Sequence, residues 1–384
     1  MTFQISKDTL NKYRGKLLKE LFGSCEIIEN EFGEFLKITD PFAIEEFGIN
    51  PIKNEELQLF ERILRSELQL VPGIGLKKSV ELKKRNINDI SDLLGLHTNN
   101  YCIINEVLDT ISSRNINQLR DLKKIHDEDF LFCVENEDLL FIDIETTGQT
   151  TAEVFLIGIG FYSPKNRQFQ TELLFAREIA EEAAVLYHFL QLLPNYKMLV
   201  TYNGRTFDIP FIRNRVSTLF EPDDIREISS QIVILSDGEA KNKSSSIFEM
   251  SEQIFNSFIH FDLYNGIRRN FKDLLPNFRL TTAEQHLLDF ERVENLPSAE
   301  VPLVYKMYVE DPKNYIGGIY KTLEHNFYDV VNLERLLSIW MKKQIEEFYS
   351  AIFSSKPKAY DEIIEELRKY KRRLRSFNLD PFLE

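Results

Sequence analysis

The chain has 384 residues and a formal net charge of −14 at pH 7. Its length permits two or three domains, and its acidic balance argues against broad electrostatic binding of a phosphate backbone, leaving local basic patches or bound cations. The three cysteines (Cys25, Cys102 and Cys133) fit neither a disulfide framework nor a zinc site. No apolar run approaches the roughly 20 residues that a membrane span needs. We therefore expect a cytoplasmic protein.

The N-terminal third of the sequence predicts two small units. Residues 1–50 form a segment with a candidate β-hairpin, and residues 51–135 form a helical domain because they lack a strand pattern. The run EELQLFERILRSELQL has apolar residues at helical spacing, and this helix must end at Pro72. A second helix is predicted to begin at about Leu76.

The turn between these two helices contains Gly73 and Gly75, followed by Lys77 and Lys78. Glycines let a backbone approach a phosphate closely, and the N–H groups at the start of the next helix would point at that anion. The lysines would add positive charge without reading bases. The segment LVPGIGLKKSVELKKR resembles a helix-hairpin-helix DNA-binding motif. A turn that only packs two helices together is the structural alternative.

The pattern changes to strands between residues 139 and 204. LLFIDIE, VFLIGIGFYS and QFQTELLFA are predicted strands, followed by the helix EIAEEAAVLYHFLQLL and the strand KMLVTYN. This order fits a mixed sheet covered by helices, so residues 136–345 are predicted to form an α/β domain. Residues 346–384 are predicted to form a charged helix. Its basic finish, RKYKRRLR, favours a helix C-terminus through the dipole, and contact with nucleic acid is the alternative.

Asp143 and Glu145 lie at the end of the first predicted strand, within FIDIETTG. Alternate side chains of a strand share a face, so the two carboxylates are about 7 Å apart on one side. Like charges at this distance repel unless cations lie between them, and Mg²⁺ or Mn²⁺ prefers carboxylate oxygen. The alternative is a strand end whose acids are merely solvated.

Two later segments carry further acids. In VTYNGRTFDIPFIRNR a strand runs into a turn, and Asp208 stands where a helix opens, so a simple helix N-cap is its alternative role. In EHNFYDVVNLERLL, His325 and Asp329 project from one helical face, where a surface hydrogen bond is the alternative. The apolar stripe of this helix would pack on the sheet and hold both residues over the strand end that bears Asp143.

Together these segments resemble the DEDD exonuclease superfamily, which has a ribonuclease H-like fold, and most closely its YprB-type branch. DIETTG resembles the first motif, YNGRTFD the second and HNFYDV the third, over about residues 136–340. The resemblance implies an α/β, ribonuclease H-like mixed sheet flanked by helices, preceded by a smaller, mainly helical domain. It also implies that Asp143, Glu145, Asp208 and Asp329 bind two divalent ions.

Two residues outside this set of four acids are candidates for a role at the site. Larger branches of the superfamily have His-x4-Asp or Tyr-x3-Asp, whereas this chain has a histidine at the tyrosine spacing. We predict that His325 still takes a proton from the attacking water as general base. The segment TTAEQHLL also resembles the YprB branch, and its Glu284 is a candidate site residue, although we expect it to be a surface acid.

The resemblance implies a metal-dependent 3′→5′ exonuclease that hydrolyses phosphodiester bonds of nucleic acid. Two cations, Mg²⁺ or Mn²⁺, would stabilise the attacking and leaving oxygens. DNA is favoured over RNA as the partner only because of the helix-hairpin-helix-like turn. The alternative is a nucleic-acid-binding scaffold on a nuclease fold whose catalysis is weak or lost. The presence of all four acids favours the enzyme.

Overall fold

A computed structural model describes residues 7–49, 51–96, 100–148, 152–235, 246–293 and 296–355. Within these stretches, seven strands form one sheet: β1 (Cys25–Asn30), β2 (Gly33–Thr39), β3 (Leu139–Thr146), β4 (Val154–Tyr162), β5 (Phe169–Phe175), β6 (Met198–Thr201) and β7 (Ile259–Asp262). The helices are α1 (Lys7–Tyr13), α2 (Leu18–Leu21), α3 (Asn54–Arg65), α4 (Leu76–Lys84), α5 (Tyr101–Ser113), α6 (Ile116–Arg120), α7 (Glu182–Leu192), α8 (Asp208–Leu219), α9 (Pro222–Leu235), α10 (Ile247–Ser257), α11 (Leu263–Asn270), α12 (Leu280–Leu287), α13 (Val301–Glu310) and α14 (Pro312–Ser355).

The sheet is mixed, with the strand order β1-β2-β5-β4-β3-β6-β7. β3, β4 and β5 pair in antiparallel fashion, whereas β6 is parallel to β3 and β7 is parallel to β6. α7 lies between β5 and β6 in the chain, as a crossover to a parallel strand requires. The predicted mixed sheet flanked by helices is therefore confirmed, and β3 lies between β4 and β6.

The N-terminal strands belong to this same sheet. β1 and β2 form a hairpin within residues 1–50, in which Cys25 lies opposite Ile38 and Asn30 lies opposite Gly33. β2 also pairs with β5, so the hairpin extends one edge of the sheet. The division of the chain into four domains stays a prediction.

The segment between β2 and β3 is mainly helical, and its described residues contain no strand. α3 ends at Arg65, earlier than predicted, and a short 3-10 turn over Leu68–Leu70 follows. The hydroxyl of Ser66 donates a hydrogen bond to the carbonyl of Ile63 at 2.7 Å. Such side-chain bonds to nearby carbonyls compete with helix continuation. α4 begins at Leu76, as predicted.

The helix α14 is 44 residues long and contacts β3, β4 and β5. Its side chains Phe327, Val330 and Leu337 are fully buried, which confirms the predicted packing of this helix on the sheet. α14 includes the start of the predicted terminal helix over 346–384, but the remainder, with the basic finish, lies outside the described residues. No helix of the described stretches has the apolar length needed to cross a bilayer.

The tryptophan lies in the core, as expected. Trp340 on α14 stacks on Phe60 of α3 with ring centroids 5.8 Å apart, and it meets Phe261 of β7 edge to face. Its indole N–H donates to Asn270 Oδ1 at 3.0 Å, so the polar atom of this buried ring is satisfied. Trp340 therefore contacts both the helical segment, at Phe60, and the sheet, at Phe261.

Gly158 on β4 allows α14 to approach the sheet closely. A Cβ atom at this position would overlap Asn326 Oδ1 and lie 2.8 Å from Val330 Cγ2. We expect Gly158→Ala to push α14 away from β4 and to lower the free energy of unfolding by about 1–3 kcal/mol, the usual cost of overpacking. Urea unfolding measures this change. Gly23→Ala is the control, because a Cβ there meets no atom within 4 Å, and equal midpoints for both variants would refute the close-packing argument.

Candidate metal centre

The end of β3 carries the first two acids on one side of the sheet. Asp143 pairs across the sheet with Gly158, the position where α14 comes closest. The Asn326 side chain on α14 donates to Asp143 Oδ2 at 2.8 Å and to the Asp143 carbonyl at 3.3 Å. Glu145 is buried, which excludes the alternative that it is merely solvated. The strand end and the helix are therefore joined at the acids.

Asp208 is the first residue of α8, and Phe207 holds the cap position, so the simple N-cap alternative is wrong. The Asp208 Oδ1 atom accepts a hydrogen bond from the N–H of Ile144 at 3.2 Å. Ile144 lies between Asp143 and Glu145 in β3. The second motif therefore delivers a buried carboxylate to the same strand end.

His325 and Asp329 on α14 lie over this strand end, as predicted. His325 Nε2 is 3.3 Å from Asp329 Oδ2 and 3.9 Å from Glu145 Oε1. One candidate ligand atom from each of these three residues lies within 4.8 Å of the other two. All three residues are buried, so the alternative of a surface hydrogen bond between His325 and Asp329 is wrong.

The carboxylates of this cluster repel one another in a site with little water. Loss of hydration is the largest cause of the raised pKa of Asp143 and of Glu145, and neighbouring carboxylates, first Asp329 and then Asp208, raise both further. Burial also raises the pKa of Asp208 to about 7, although the hydrogen bond from Ile144 opposes this. Positive charge placed among these groups would favour their ionised forms.

Arg292 supplies one such charge, and no sequence motif pointed to it. Its side chain is only 4% exposed. The guanidinium donates to Asp329 and, in a two-point contact, to Glu284, where the Nε to Oε2 distance is 2.9 Å. Nη1 lies 3.1 Å from His325 Nδ1 and 3.3 Å from the His325 carbonyl. Burial disfavours the charged form, but the carboxylates of Asp329 and Glu284 outweigh it and raise the pKa of Arg292.

Glu284 on α12 is 1% exposed, so the expectation of a surface acid is wrong. Besides Arg292, it accepts a hydrogen bond from the Asn332 side chain of α14 at 2.9 Å. Burial raises the pKa of Glu284, and the charge of Arg292 opposes that rise. Glu284 therefore acts on the cluster through Arg292, which connects it to Asp329.

The Gly-x-Gly turn before α4 is exposed to solvent. Gly73 has a φ of +88°, a conformation that favours glycine, and Gly75 immediately precedes α4. Lys77 and Lys78 in the first turn of α4 are exposed. The turn has the local geometry that the sequence predicted, and its contact with nucleic acid stays a prediction.

Comparison with known proteins defines the class to which this fold and site belong. The model of the RNase_H superfamily matches residues 140–341, more than half of the chain. The chain belongs to the RNase_H superfamily, and its sheet has the ribonuclease H-like α/β fold.

A relative lies within the branch that the motifs suggested. The uncharacterized protein YprB of Bacillus subtilis (strain 168) is 26% identical over 217 residues, which are 56% of this chain and 44% of YprB. The chain is therefore similar to less than half of the length of that relative. The family match and this similarity together confirm a ribonuclease H-like chain of the YprB-type branch.

The residues present fit a divalent cation. Carboxylate oxygens are the ligands that Mg²⁺ and Mn²⁺ prefer, and the cluster offers them from Glu145 and Asp329 within 4.8 Å of each other. Asp143 and Asp208 add two more carboxylates, and burial is the largest cause of the raised pKa of each.

Proposed function

We propose that this chain is a metal-dependent 3′→5′ exonuclease that hydrolyses phosphodiester bonds of nucleic acid, with DNA preferred over RNA. The observation that carries the proposal is the meeting of four carboxylates from three separate elements. Asp143 and Glu145 come from β3, Asp208 from α8 and Asp329 from α14. Asp208 bonds to the backbone of β3 between the first two acids, and Glu145 and Asp329 offer ligand atoms within 4.8 Å of each other. Carboxylates gathered in this way are typical of a cation site rather than of a structural core.

In this proposal the four acids hold two ions, Mg²⁺ or Mn²⁺. Such ions supply positive charge to the attacking and leaving oxygens of phosphodiester hydrolysis. The chain itself fixes the ligands. Asn326 holds Asp143 through its side-chain amide, the N–H of Ile144 holds Asp208, and Arg292 holds Asp329.

His325 is the proposed general base. Both of its ring nitrogens have partners in the structure, so one contact has to open before the ring can accept a proton. Arginine can only donate hydrogen bonds, so Nδ1 of His325 accepts from Arg292. A neutral ring then carries its proton on Nε2, which faces Asp329 at 3.3 Å. His325 can therefore accept a proton from the attacking water only after its contact with Arg292 opens, because the free lone pair of the neutral ring lies on Nδ1.

We expect His325→Ala to slow hydrolysis by about 10²–10⁴-fold, the usual contribution of general base catalysis. Burial lowers the pKa of His325, so the acidic limb of the wild-type rate profile should lie below the ordinary range of histidine. The measurement is the rate of cleavage against pH for both proteins. His286→Ala, at an exposed histidine, is the control. An unchanged rate and acidic limb in His325→Ala would assign water activation to another group.

The helical segment of residues 51–135 is proposed to hold the nucleic acid. The exposed turn at Gly73 and Gly75 would bring backbone N–H groups to a phosphate, and Lys77 and Lys78 would add charge. The preference for DNA depends on this turn alone. A cytoplasmic location also stays a prediction, which the three free cysteines support.

A scaffold that binds nucleic acid without cleaving it is the second candidate, because the buried pair of Arg292 and Asp329 already neutralises one proposed ligand. The deciding experiment incubates 5′-end-labelled single-stranded and double-stranded DNA and RNA with Mg²⁺, with Mn²⁺ or with EDTA. The exonuclease shortens the substrate stepwise from the 3′ end only when the divalent ion is present. Binding without any EDTA-sensitive cleavage would establish the scaffold instead.

A further inference from the structure

A cleft with a volume of about 450 Å³ lies beside α8, outside the metal centre. The helical segment contributes Arg120 and Asp127 to its wall, and the second sequence motif contributes Arg205. Arg213 on α8, Asn256 on α10 and His260 on β7 complete its polar lining. The cleft is thus formed jointly by the helical segment and the edge of the sheet, and nothing in the proposed hydrolysis uses it.

The polar lining of this cleft, which we call the arginine cleft, is positively charged. Its lining has three guanidinium groups and one carboxylate, that of Asp127, and Glu252 outside the lining pairs with Arg213, which leaves one net positive charge in a chain whose net charge is −14. His260 adds no positive charge near neutral pH, because burial lowers its pKa to about 3. A concentration of positive charge in an acidic protein indicates a place where a negatively charged ligand is bound.

Backbone carbonyls and carboxylates hold the arginines of the cleft in place. Arg120 donates to the carbonyl of Phe258 at 2.8 Å, and Arg205 donates to the carbonyl of His260 at 2.6 Å as well as to Asp127. Backbone carbonyls fix the orientation of a guanidinium without neutralising it. Arg120 is therefore preorganised for an anion, whereas Asp127 offsets part of the charge of Arg205.

Arg213 has spare hydrogen-bonding capacity. It forms an ion pair with the half-exposed carboxylate of Glu252 at 3.1 Å. Its Nε atom is buried and is one of the few such atoms in the described residues without a hydrogen-bond partner. A buried donor without a partner is costly, so an acceptor that reaches this guanidinium when the side chain shifts towards the cleft would be favoured.

The place of Arg213 on α8 links the cleft to the metal centre. Asp208 begins this helix and bonds to β3, whereas Ile209, Pro210 and Arg213 line the cleft. The apolar side chains of Phe255 and Phe258 form further parts of its wall. Helix α8 therefore contributes its first residue to the metal centre and later residues to the wall of the cleft.

We propose that the arginine cleft binds a backbone phosphate of the nucleic-acid strand whose 3′ end occupies the metal centre. This inference depends on the proposed function, since it assigns the cleft to that substrate. The three guanidiniums bind the phosphate, and the apolar wall accommodates the attached nucleoside. The volume lies in the range of 300–1,000 Å³ that is typical of ligand clefts.

The test measures binding without cleavage. The full chain carrying Asp143→Asn is titrated in EDTA with a fluorescein-labelled single-stranded oligonucleotide, as DNA and as RNA, across a series of salt concentrations. Arg120→Gln and Arg213→Gln are added separately, and Arg226→Gln is the control, because Arg226 is 60% exposed and pairs with the neighbouring, exposed Asp223 on α9. Thermal unfolding shows whether each variant folds. We expect Arg213→Gln to destabilise the fold less than Arg120→Gln does, since the acidic partner of Arg213 is half-exposed.

We expect Arg120→Gln and Arg213→Gln each to weaken binding and to reduce the salt slope of log K by about 0.7, the value for one phosphate contact on a single strand. Arg226→Gln should bind like the parent protein. Equal affinity of Arg213→Gln and its parent would overturn the proposal. Competition by inorganic phosphate or a mononucleotide as strong as that by the oligonucleotide would assign the cleft to a free small anion and would also overturn it.

The outcomes separate this inference from the proposed function. If cleavage is absent but the arginine variants lose affinity, the cleft stands as a nucleic-acid site and the exonuclease proposal falls. If the wild-type chain cleaves from the 3′ end but the variants bind like their parent, the exonuclease proposal stands and the cleft has another role.

Discussion

Asp143→Asn is expected to abolish divalent-ion-dependent hydrolysis while the fold stays intact. An asparagine keeps the shape of the side chain and can still accept the hydrogen bond from Asn326, but it removes a negative ligand from the proposed ion site. Stabilisation of the reacting oxygens by the ions amounts to several kcal/mol, so the rate should fall by about a thousandfold or more. The measurement is 3′ shortening of a labelled strand with Mg²⁺ or Mn²⁺.

The same substitution should not destabilise the protein. Burial, and then the neighbouring carboxylates, raise the pKa of Asp143 above its ordinary value, so its negative charge is unfavourable in the folded state near neutral pH. We expect an unfolding temperature equal to or higher than that of the wild type in EDTA. Asp223→Asn, at an exposed carboxylate on α9, is the control for loss of one charge. Full activity of purified Asp143→Asn would remove Asp143 from the catalytic site.

Arg292→Met is expected to cause the largest loss of stability. The substitution leaves Glu284 and Asp329 buried without their guanidinium partner, and breaking a buried ion pair from one side costs about 3–5 kcal/mol. Urea unfolding in EDTA measures the change. Arg226→Met is the matched control, because its ion pair with Asp223 is exposed and contributes little.

A second substitution tests whether charge is the cause. Arg292→Met combined with Glu284→Gln should recover part of the lost stability, since one of the two uncompensated carboxylates is then neutral. Divalent ions should stabilise Arg292→Met more than the wild type, because a cation at Asp329 would replace the missing guanidinium. A loss below about 1 kcal/mol in Arg292→Met would contradict a structural role for this buried pair.

The acids of the site could be predicted because each lies in a short local pattern. Asp143 and Glu145 end an apolar strand, Asp208 follows a strand and a turn, and Asp329 shares a helical face with His325. Strand alternation and helical spacing are local properties, so sequence alone located these residues on their elements. That α14 crosses this strand end followed from its apolar stripe.

The residues that support the acids were missed because their partners are distant in sequence. Arg292 lies in an irregular stretch with no periodicity, 37 residues before Asp329. Glu284 was expected at the surface, since the sequence does not show that a guanidinium comes to meet it. Asn326 had a usable signal, because Gly158 within the strand VFLIGIGFYS indicates that another part of the chain approaches closely there.

The helical segment is inserted between two strands of one sheet rather than attached at an end of it. β2 ends at Thr39 and β3 begins at Leu139, so the segment has two covalent connections to the same platform. Arg120 and the ion pair of Glu128 with Arg269 add noncovalent ties to that platform. A module anchored in this way cannot swing on a single tether. A substrate that engages both the glycine turn and the metal centre would therefore have to extend from one to the other.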